Sequence, residues 1–241
     1  LYNLTTFKVL CSSEGAHGKL IGEKTLKSPE DSDDYVHVIK SKMDETELIV
    51  KVQEKGRLLN RELEIQDILQ NQNNVIKFVC SFECNFDRLV WDKPLEAPRT
   101  FCDKTGDTLT LVIMEYINND LADFLESGDY TDTIIISILK QIGLALFEIH
   151  FNYGISHNDL NRGNILLDIN TPKTISYKSG ALNADVETYG HEVVLIDFQR
   201  STISKTKNPR DTLQYAIDEI SLAYDIISRW AKTTDLREYI Q

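Results

Sequence analysis

The first third of the chain alternates apolar and polar positions in short runs, the two-residue period of strands with one buried face. TFKVL at 6–10, KLIG at 19–22 and YVHVIKSK at 35–42 read as strands of an antiparallel sheet, with the acidic SPEDSDD at 28–34 turning between two of them. Residues 55–70 read as a helix, and KFVCSFEC at 77–84 and TLTLVIMEYI at 108–117 are again strand-like. Between those two strands, DKPLEAPRTFCDKTGD holds Pro94 and Pro98 and reads as a loop. After Ile117 the character changes. TDTIIISILKQIGLALFEIHF at 131–151 is apolar on almost every face, as expected of a helix buried within a helical lobe. A boundary between a sheet-rich lobe and a helical lobe is expected near Asn118–Asp120, and nucleotide clefts commonly sit between two such lobes.

At 241 residues the chain is one large domain or two small lobes, ample for a core. Its 41% apolar and 27% charged residues are ordinary for a soluble globular protein. No apolar run approaches the length of a membrane span, and LYNLTTFKVL lacks a basic leader followed by a long apolar stretch. A chain opening on Leu1 without methionine is expected to be a fragment. The net charge of −12 disfavours direct nucleic-acid binding; it either keeps the protein soluble or favours a basic partner. Cys11, Cys80, Cys84 and Cys102 show no metal spacing and are expected to be reduced thiols of an intracellular protein. There are no repeats and no low-complexity segment.

The candidate chemistry lies further along. HNDLNRGNILL at 157–167 sets His157, Asp159 and Asn164 at the spacing H-x-D-x-x-x-x-N, and VVLIDFQ at 193–199 closes an apolar run on Asp197. Asn164 and Asp197 offer hard oxygen ligands of the kind Mg²⁺ takes beside phosphates and water. A carboxylate such as Asp159 is mostly ionised at neutral pH and can accept a hydroxyl proton late in a transfer. His157 reads as structural. In the 55–70 helix, an advance of 100° per residue from Leu58 groups Leu59, Glu62, Ile65 and Leu69 into one apolar stripe. Glu62 thus either curls to solvent at the edge or needs a partner, for which Lys40 at the end of YVHVIK is the natural candidate. The segment Ser13, Glu14, Gly15, Ala16, His17, Gly18, with Leu20 after it, is a plain hairpin turn or a glycine-rich flap whose backbone approaches phosphates.

Together these residues resemble the protein-kinase phosphoryl-transfer site, in which one aspartate serves the substrate hydroxyl while an asparagine and a second aspartate hold magnesium. The resemblance runs from about residue 8 to 228. It implies an α+β, bilobal protein-kinase-like fold across 1–241: an antiparallel-sheet N-lobe (1–117) with its αC helix, then a hinge and a reduced, mainly helical C-lobe (118–241) with a β-hairpin insert. It implies ATP and Mg²⁺ as cofactors. Lys40 would pair with Glu62 and the phosphates, Met114 would be the gatekeeper, and Glu115, Tyr116 and Ile117 the hinge against adenine. Leu166 would lie under the base, Asp120 would meet the ribose, and Asp218 of DEISLAY would brace the catalytic loop.

Three departures narrow the family. Gln199 replaces the glycine of D-F-G, no A-P-E follows, and 33 positions separate Asn164 from Asp197, with an inserted β-hairpin between them. These traits are similar to those of haspin, an atypical Ser/Thr kinase that phosphorylates a threonine near the N-terminus of a core histone. RELEIQDIL also resembles its αC helix. That resemblance implies a basic histone-tail substrate, a nuclear, chromosome-associated location in mitosis, and a monomer without membrane or direct nucleic-acid contact. Where haspin has H-W-G-N, this chain has Asn161-Arg162-Gly163-Asn164. Asn158 stands in place of the arginine of H-R-D, so no ready receptor exists for an activation-loop phosphate, and activity independent of such phosphorylation is expected. The alternatives are a compact kinase of the Bud-thirty-two type and a pseudokinase that binds nucleotide or docks partners.

Overall fold

The computed structural model describes residues 20–27, 35–41, 47–86, 99–100, 102, 106–170, 173–204 and 209–228. The chain divides into two compact units, Leu1–Asn60 with Lys77–Tyr116, and Arg61–Ile76 with Ile117–Gln241.

The first unit is built on an antiparallel sheet. Strands β1 (Leu20–Lys27), β2 (Tyr35–Ser41), β3 (Glu47–Gln53), β4 (Phe78–Phe86), β5 (Arg99–Thr100) and β6 (Asp107–Glu115) take the order β4-β6-β3-β2-β1-β5. Strand β3 is absent from the sequence reading, yet it lies inside the sheet. Its Leu48 faces Ile39 of β2, and its Val50 and Val52 face Ile113 and Leu111 of β6. These side chains form the unit's aliphatic core, each contributing about 1.5–3 kcal/mol if fully buried. The other face of β3 carries Ile49 and Lys51, flanked by Val38 and Val36 on β2 and by Met114 and Val112 on β6. His37, opposite Val50, is fully buried, and burial pushes its pKa down to about 4.

A disulfide joins Cys84 on β4 to Cys102, with Cα atoms 5.3 Å apart in the same core. This corrects the expectation of reduced thiols for that pair, and Cys80 is disulfide-bonded as well. The fold brings together two cysteines 18 positions apart, and sequence spacing does not reveal pairing.

Helix α1 (Arg57–Leu69) buries Leu59, Glu62, Ile65, Gln66 and Leu69. Leu58, the expected start of that stripe, is 57% exposed; it lies in the first turn, where the stripe runs out. In the second unit, α2 (Leu121–Ser127) is capped by Asp120, whose Oδ1 accepts the Asp123 N–H at 2.7 Å. Helix α3 (Asp132–Tyr153) starts at its Thr131 cap and ends on Gly154, where φ is 67°. A Cβ at Gly154 would also stand 3.2 Å from the Ser204 carbonyl oxygen, so both backbone angle and space call for glycine. By length and composition α3 could cross a membrane, which corrects the expectation that no stretch is long and apolar enough. Its Ile135, Ile138, Ile142, Leu146 and Ile149 are instead buried in the unit's core.

Three short two-stranded ladders complete the strands described in this unit. Strand β7 (Ile155–Ser156) pairs with β12 (Thr202–Ile203), β8 (Ile165–Ile169) with β11 (His191–Leu195), and β9 (Thr174–Ser179) with β10 (Leu182–Glu187), the predicted inserted hairpin. Helix α4 (Pro209–Ser228) follows. A buried polar seam ties the segment after α1 to α3 and the insert. The Gln72 amide donates to Glu148 Oε2 at 2.7 Å, and the Lys178 N–H donates to the other Glu148 oxygen at 2.6 Å. The Tyr177 hydroxyl donates to Asn74 Oδ1 at 2.7 Å, while Asn74 Nδ2 donates to the Val193 carbonyl at 2.8 Å. Gln141 accepts the Val193 N–H at 2.9 Å and donates to the His191 carbonyl at 2.9 Å. Backbone bonds between residues 74–76 and Leu195 then fix β11 to the same segment.

Candidate active site

Ladder β8/β11 is what brings the distant polar residues together. Leu195 lies opposite Ile165, and the Ile196 N–H donates to the Asn164 carbonyl at 3.1 Å. Asn164, just before β8, and Asp197, just after β11, therefore stand at the same end of one two-stranded ribbon. Asn164 is buried, and its Nδ2 donates to the Asp159 carbonyl at 2.8 Å and approaches Asp159 Oδ2 at 3.5 Å. Asp197 adopts a left-handed backbone, φ 65° and ψ 67°, an uncommon conformation for a non-glycine residue. Such strain clusters at functional sites. Phe198 beside it is fully buried and packs on the His157 ring, centroids 4.8 Å apart.

His157 is structural, as its hydrogen bonds explain. The Ile196 carbonyl can only accept, so Nε2, 2.9 Å away, carries the proton; the Asp159 N–H can only donate, so Nδ1 at 3.3 Å accepts. Burial holds the pKa of His157 below its usual value despite opposing effects from Glu219, the Ile196 carbonyl, Asp197 and Asp159. A neutral ring with both nitrogens satisfied thus clamps the 157–164 loop to the end of β11.

The brace from α4 is Glu219, not Asp218. Asp218 is exposed and accepts from Gln214 one turn earlier on the same helix. Glu219 accepts the Asn158 N–H at 2.5 Å and lies 2.8 Å from His150 Nε2. Burial pushes its carboxyl up, but hydrogen bonds from His150, Asn158 and His157, with the His150 charge, outweigh it and hold the pKa below the usual range. A one-residue step on a helix turns a side chain by 100°, so a motif match alone does not settle which of two adjacent acids faces the loop.

Asn158 has φ 60°, and its Nδ2 reaches the Ser156 carbonyl at 3.3 Å, the Arg200 carbonyl at 3.2 Å and Thr202 Oγ1 at 3.0 Å. Arg200 returns toward the loop, with Nε 3.8 Å from Asp159 Oδ2. Asn161 closes on its own loop, donating to the Asp159 carbonyl at 3.0 Å and accepting the Gly163 N–H at 2.9 Å.

The remaining candidates are placed separately in the two units. Glu62 is 1% exposed, which removes the solvent-facing alternative. Lys40 lies half-buried on β2, opposite Glu47. The strand that directly precedes α1 is β3, and the lysine on it is Lys51, 6% exposed. Lys51, missed with its strand, is thus a second lysine in this unit beside Lys40. Its signal was available: VKV sits immediately ahead of the glutamate-bearing helix. Met114 and Glu115 end β6; Met114 shares the face of Ile49 and Lys51, and Glu115 Oε1 accepts the Lys77 N–H at 2.7 Å. Burial, then the Glu47 charge, holds the Tyr116 hydroxyl pKa up. In the second unit Ile117 leads to Asp120, which bridges to Leu166 while the Leu167 N–H donates to the Asn119 carbonyl at 2.8 Å. Asp120 commits one carboxylate oxygen to capping α2. Ser13, Glu14, Gly15, Ala16, His17 and Gly18 lie outside the described residues, and only the backbone of Leu20, opening β1, is described.

Compared with known families, residues 26–220 match the protein kinase domain. The chain belongs to the protein kinase family. No curated protein matches it. The kinase match begins after the 12–22 glycine segment and ends one residue beyond Glu219. Membership carries a phosphotransferase activity toward a protein substrate, and such domains generally use ATP and Mg²⁺. The donor chemistry of this kinase fits a hard cation: an amide oxygen and a carboxylate at one ribbon end leave the remaining positions for phosphate and water.

Proposed function

We propose that this chain is an active serine/threonine kinase of haspin type, a single kinase domain over residues 1–241 with a lobe boundary near 117. Its substrate is a threonine in a basic histone tail, and it works as a monomer on nuclear chromosomes. The roles follow the family pattern. Asp159 accepts the hydroxyl proton. Asn164 and Asp197 hold Mg²⁺, which neutralises phosphate charge when bound. Lys51 serves the nucleotide phosphates, with Lys40 as the alternative lysine, and Glu62 is the buried carboxylate of the family pattern. Met114 to Ile117 meet adenine, Leu166 lies beneath it, Asp120 keeps one oxygen for the ribose, and the 13–20 segment covers the phosphates.

One observation carries the reading most of the way: the β8/β11 ribbon holds Asn164 and Asp197 at one end, with Asp159 hydrogen-bonded to Asn164. The haspin assignment leans on the β9/β10 insert between them and on Gln199 after Phe198. A radiolabel assay with a histone-tail peptide tests it. Transfer to the threonine, lost by about 10²–10⁴-fold in Asp159→Asn, is the expected outcome. Transfer to small acceptors alone would favour the Bud-thirty-two type, and nucleotide binding without transfer a pseudokinase. Lys51→Met against Lys40→Met decides the lysine: the first should abolish transfer and the second should leave most of it.

A further inference from the structure

The 157–164 loop contains the proton acceptor but lacks a cation directed at it. Asn161, two positions after Asp159, is neutral, and both ends of its amide are engaged within the loop. Arg162 points elsewhere, with Nη1 3.9 Å from Glu126 on α2. Among the described residues, the guanidinium that meets Asp159 comes from beyond Asp197: Arg200 Nε, 3.8 Å from Asp159 Oδ2.

The backbone beneath Arg200 is pinned on several sides. Phe198 is buried against His157, and the Ser201 N–H donates to the Phe198 carbonyl at 3.1 Å. Ser201 Oγ donates to the His157 carbonyl at 3.0 Å, and Asn158 Nδ2 holds the Arg200 carbonyl itself. The side chain alone is open, 72% exposed. A fixed base under a solvent-facing guanidinium is a poor stabiliser of the fold, since exposed ion pairs contribute little. It is a good way to present charge to a ligand, because guanidinium offers five N–H donors and matches phosphate oxygens.

We propose that Arg200 is a catalytic residue, supplying to the transferring phosphoryl group the positive charge that the 157–164 loop does not. The inference rests on the kinase reading above. In the transfer, the bond between the γ-phosphorus and the β,γ-bridging oxygen breaks and its electron pair stays on ADP. The acceptor hydroxyl oxygen bonds to the γ-phosphorus, and its proton passes to Asp159. The phosphoryl group therefore sits next to the hydroxyl held by Asp159, within the sweep of a guanidinium already at that carboxylate. Negative charge spread over the equatorial oxygens in the transition state is what such a donor stabilises.

Steady-state transfer to the histone-tail peptide by the whole chain tests this, with Arg200→Ala and Arg200→Lys beside wild type. The expected result is a fall in kcat of about 10²–10³-fold for Arg200→Ala, with KM for ATP changed less than about threefold and partial recovery in Arg200→Lys. Equal melting temperatures, expected from the exposure of Arg200, would exclude a folding defect. An unchanged or raised kcat in Arg200→Ala overturns the proposal, and so does a loss confined to KM, which signals uniform binding. Wild type that transfers to neither the peptide nor a small acceptor would remove the kinase reading and this assignment together; active wild type with an indifferent Arg200→Ala removes this assignment alone.

Discussion

Both units have a hydrocarbon core, but the second adds a hydrogen-bonded polar network to it. In the sheet, Leu48, Val50, Val52, Leu111 and Ile113 fill the core with hydrocarbon, and the backbone meets its own hydrogen bonds through the ladders. In the second unit, Gln72, Asn74, Gln141, Glu148 and Tyr177 are as thoroughly buried, and they are linked by hydrogen bonds of about the same shortness as those of a helix. Hydrocarbon contacts degrade gradually when a group is deleted. A buried polar network does not, because each deleted partner leaves a donor or acceptor stranded in a medium that cannot solvate it. The seam joins the segment following the Glu62 helix to the strand that leads to Asp197, so a fault there reaches the site, whereas a fault in the sheet core remains mostly one of stability.

Several substitutions sharpen that contrast. Glu148→Leu should cost the most, about 4 kcal/mol, because it strands both the Gln72 amide and the Lys178 N–H; a urea midpoint no lower than wild type would mean the seam is not a unit. Leu111→Ala, a deletion in the sheet, should cost about 3 kcal/mol in the same titration while leaving kcat of the folded enzyme nearly intact.

Acid offers a third comparison. His37, with its pKa pushed down to about 4, stays neutral in the folded sheet while the unfolded chain takes up a proton below about pH 6.5. The unfolded state then binds more protons, so stability falls as pH drops, by up to about 3 kcal/mol near pH 4. Glu219 works in the same direction in the other unit: its depressed carboxyl gives stability that is complete above the unfolded carboxylate range and lost as pH falls through the folded pKa. His37→Leu should remove the part of the slope between pH 6.5 and 4 that belongs to the sheet, and unaltered acid unfolding would refute that attribution. The smallest effect is expected of Tyr177→Phe, about 1–2 kcal/mol for one hydroxyl on Asn74. Read by hydrogen exchange, it should loosen residues 72–76 and 193–195 and leave β3 and β6 protected.

The same contrast explains what could be read from the chain in advance. Asp159, Asn164 and Asp197 were legible because their spacing and apolar flanks are local, and the ribbon that unites them is a plain hairpin-like ladder. The insert was legible from its length and alternation. Strand β3 was not, because ELIVKVQ is apolar on both faces near its middle and so lacks a clean two-residue period, while YVHVIK next door supplied a plausible lysine. The choice between Asp218 and Glu219 depends on the rotational phase of α4, which no local signal fixes. The seam was invisible for a simpler reason: QNQNN at 70–74 has the composition of a solvated loop, and only its partners on α3 and β9 make it interior. The Cys84–Cys102 link likewise depends on which strands are neighbours.

The position of Glu219 bears on how far the polypeptide can be trimmed. Every group proposed to touch nucleotide or acceptor precedes residue 201, yet the carboxylate that receives the Asn158 amide and faces the His150 imidazole arrives with the last described helix. A truncation ending at β12 would retain the whole reactive set and lose the acceptor that holds it in register, so the C-terminal boundary for a competent recombinant fragment falls past the middle of α4.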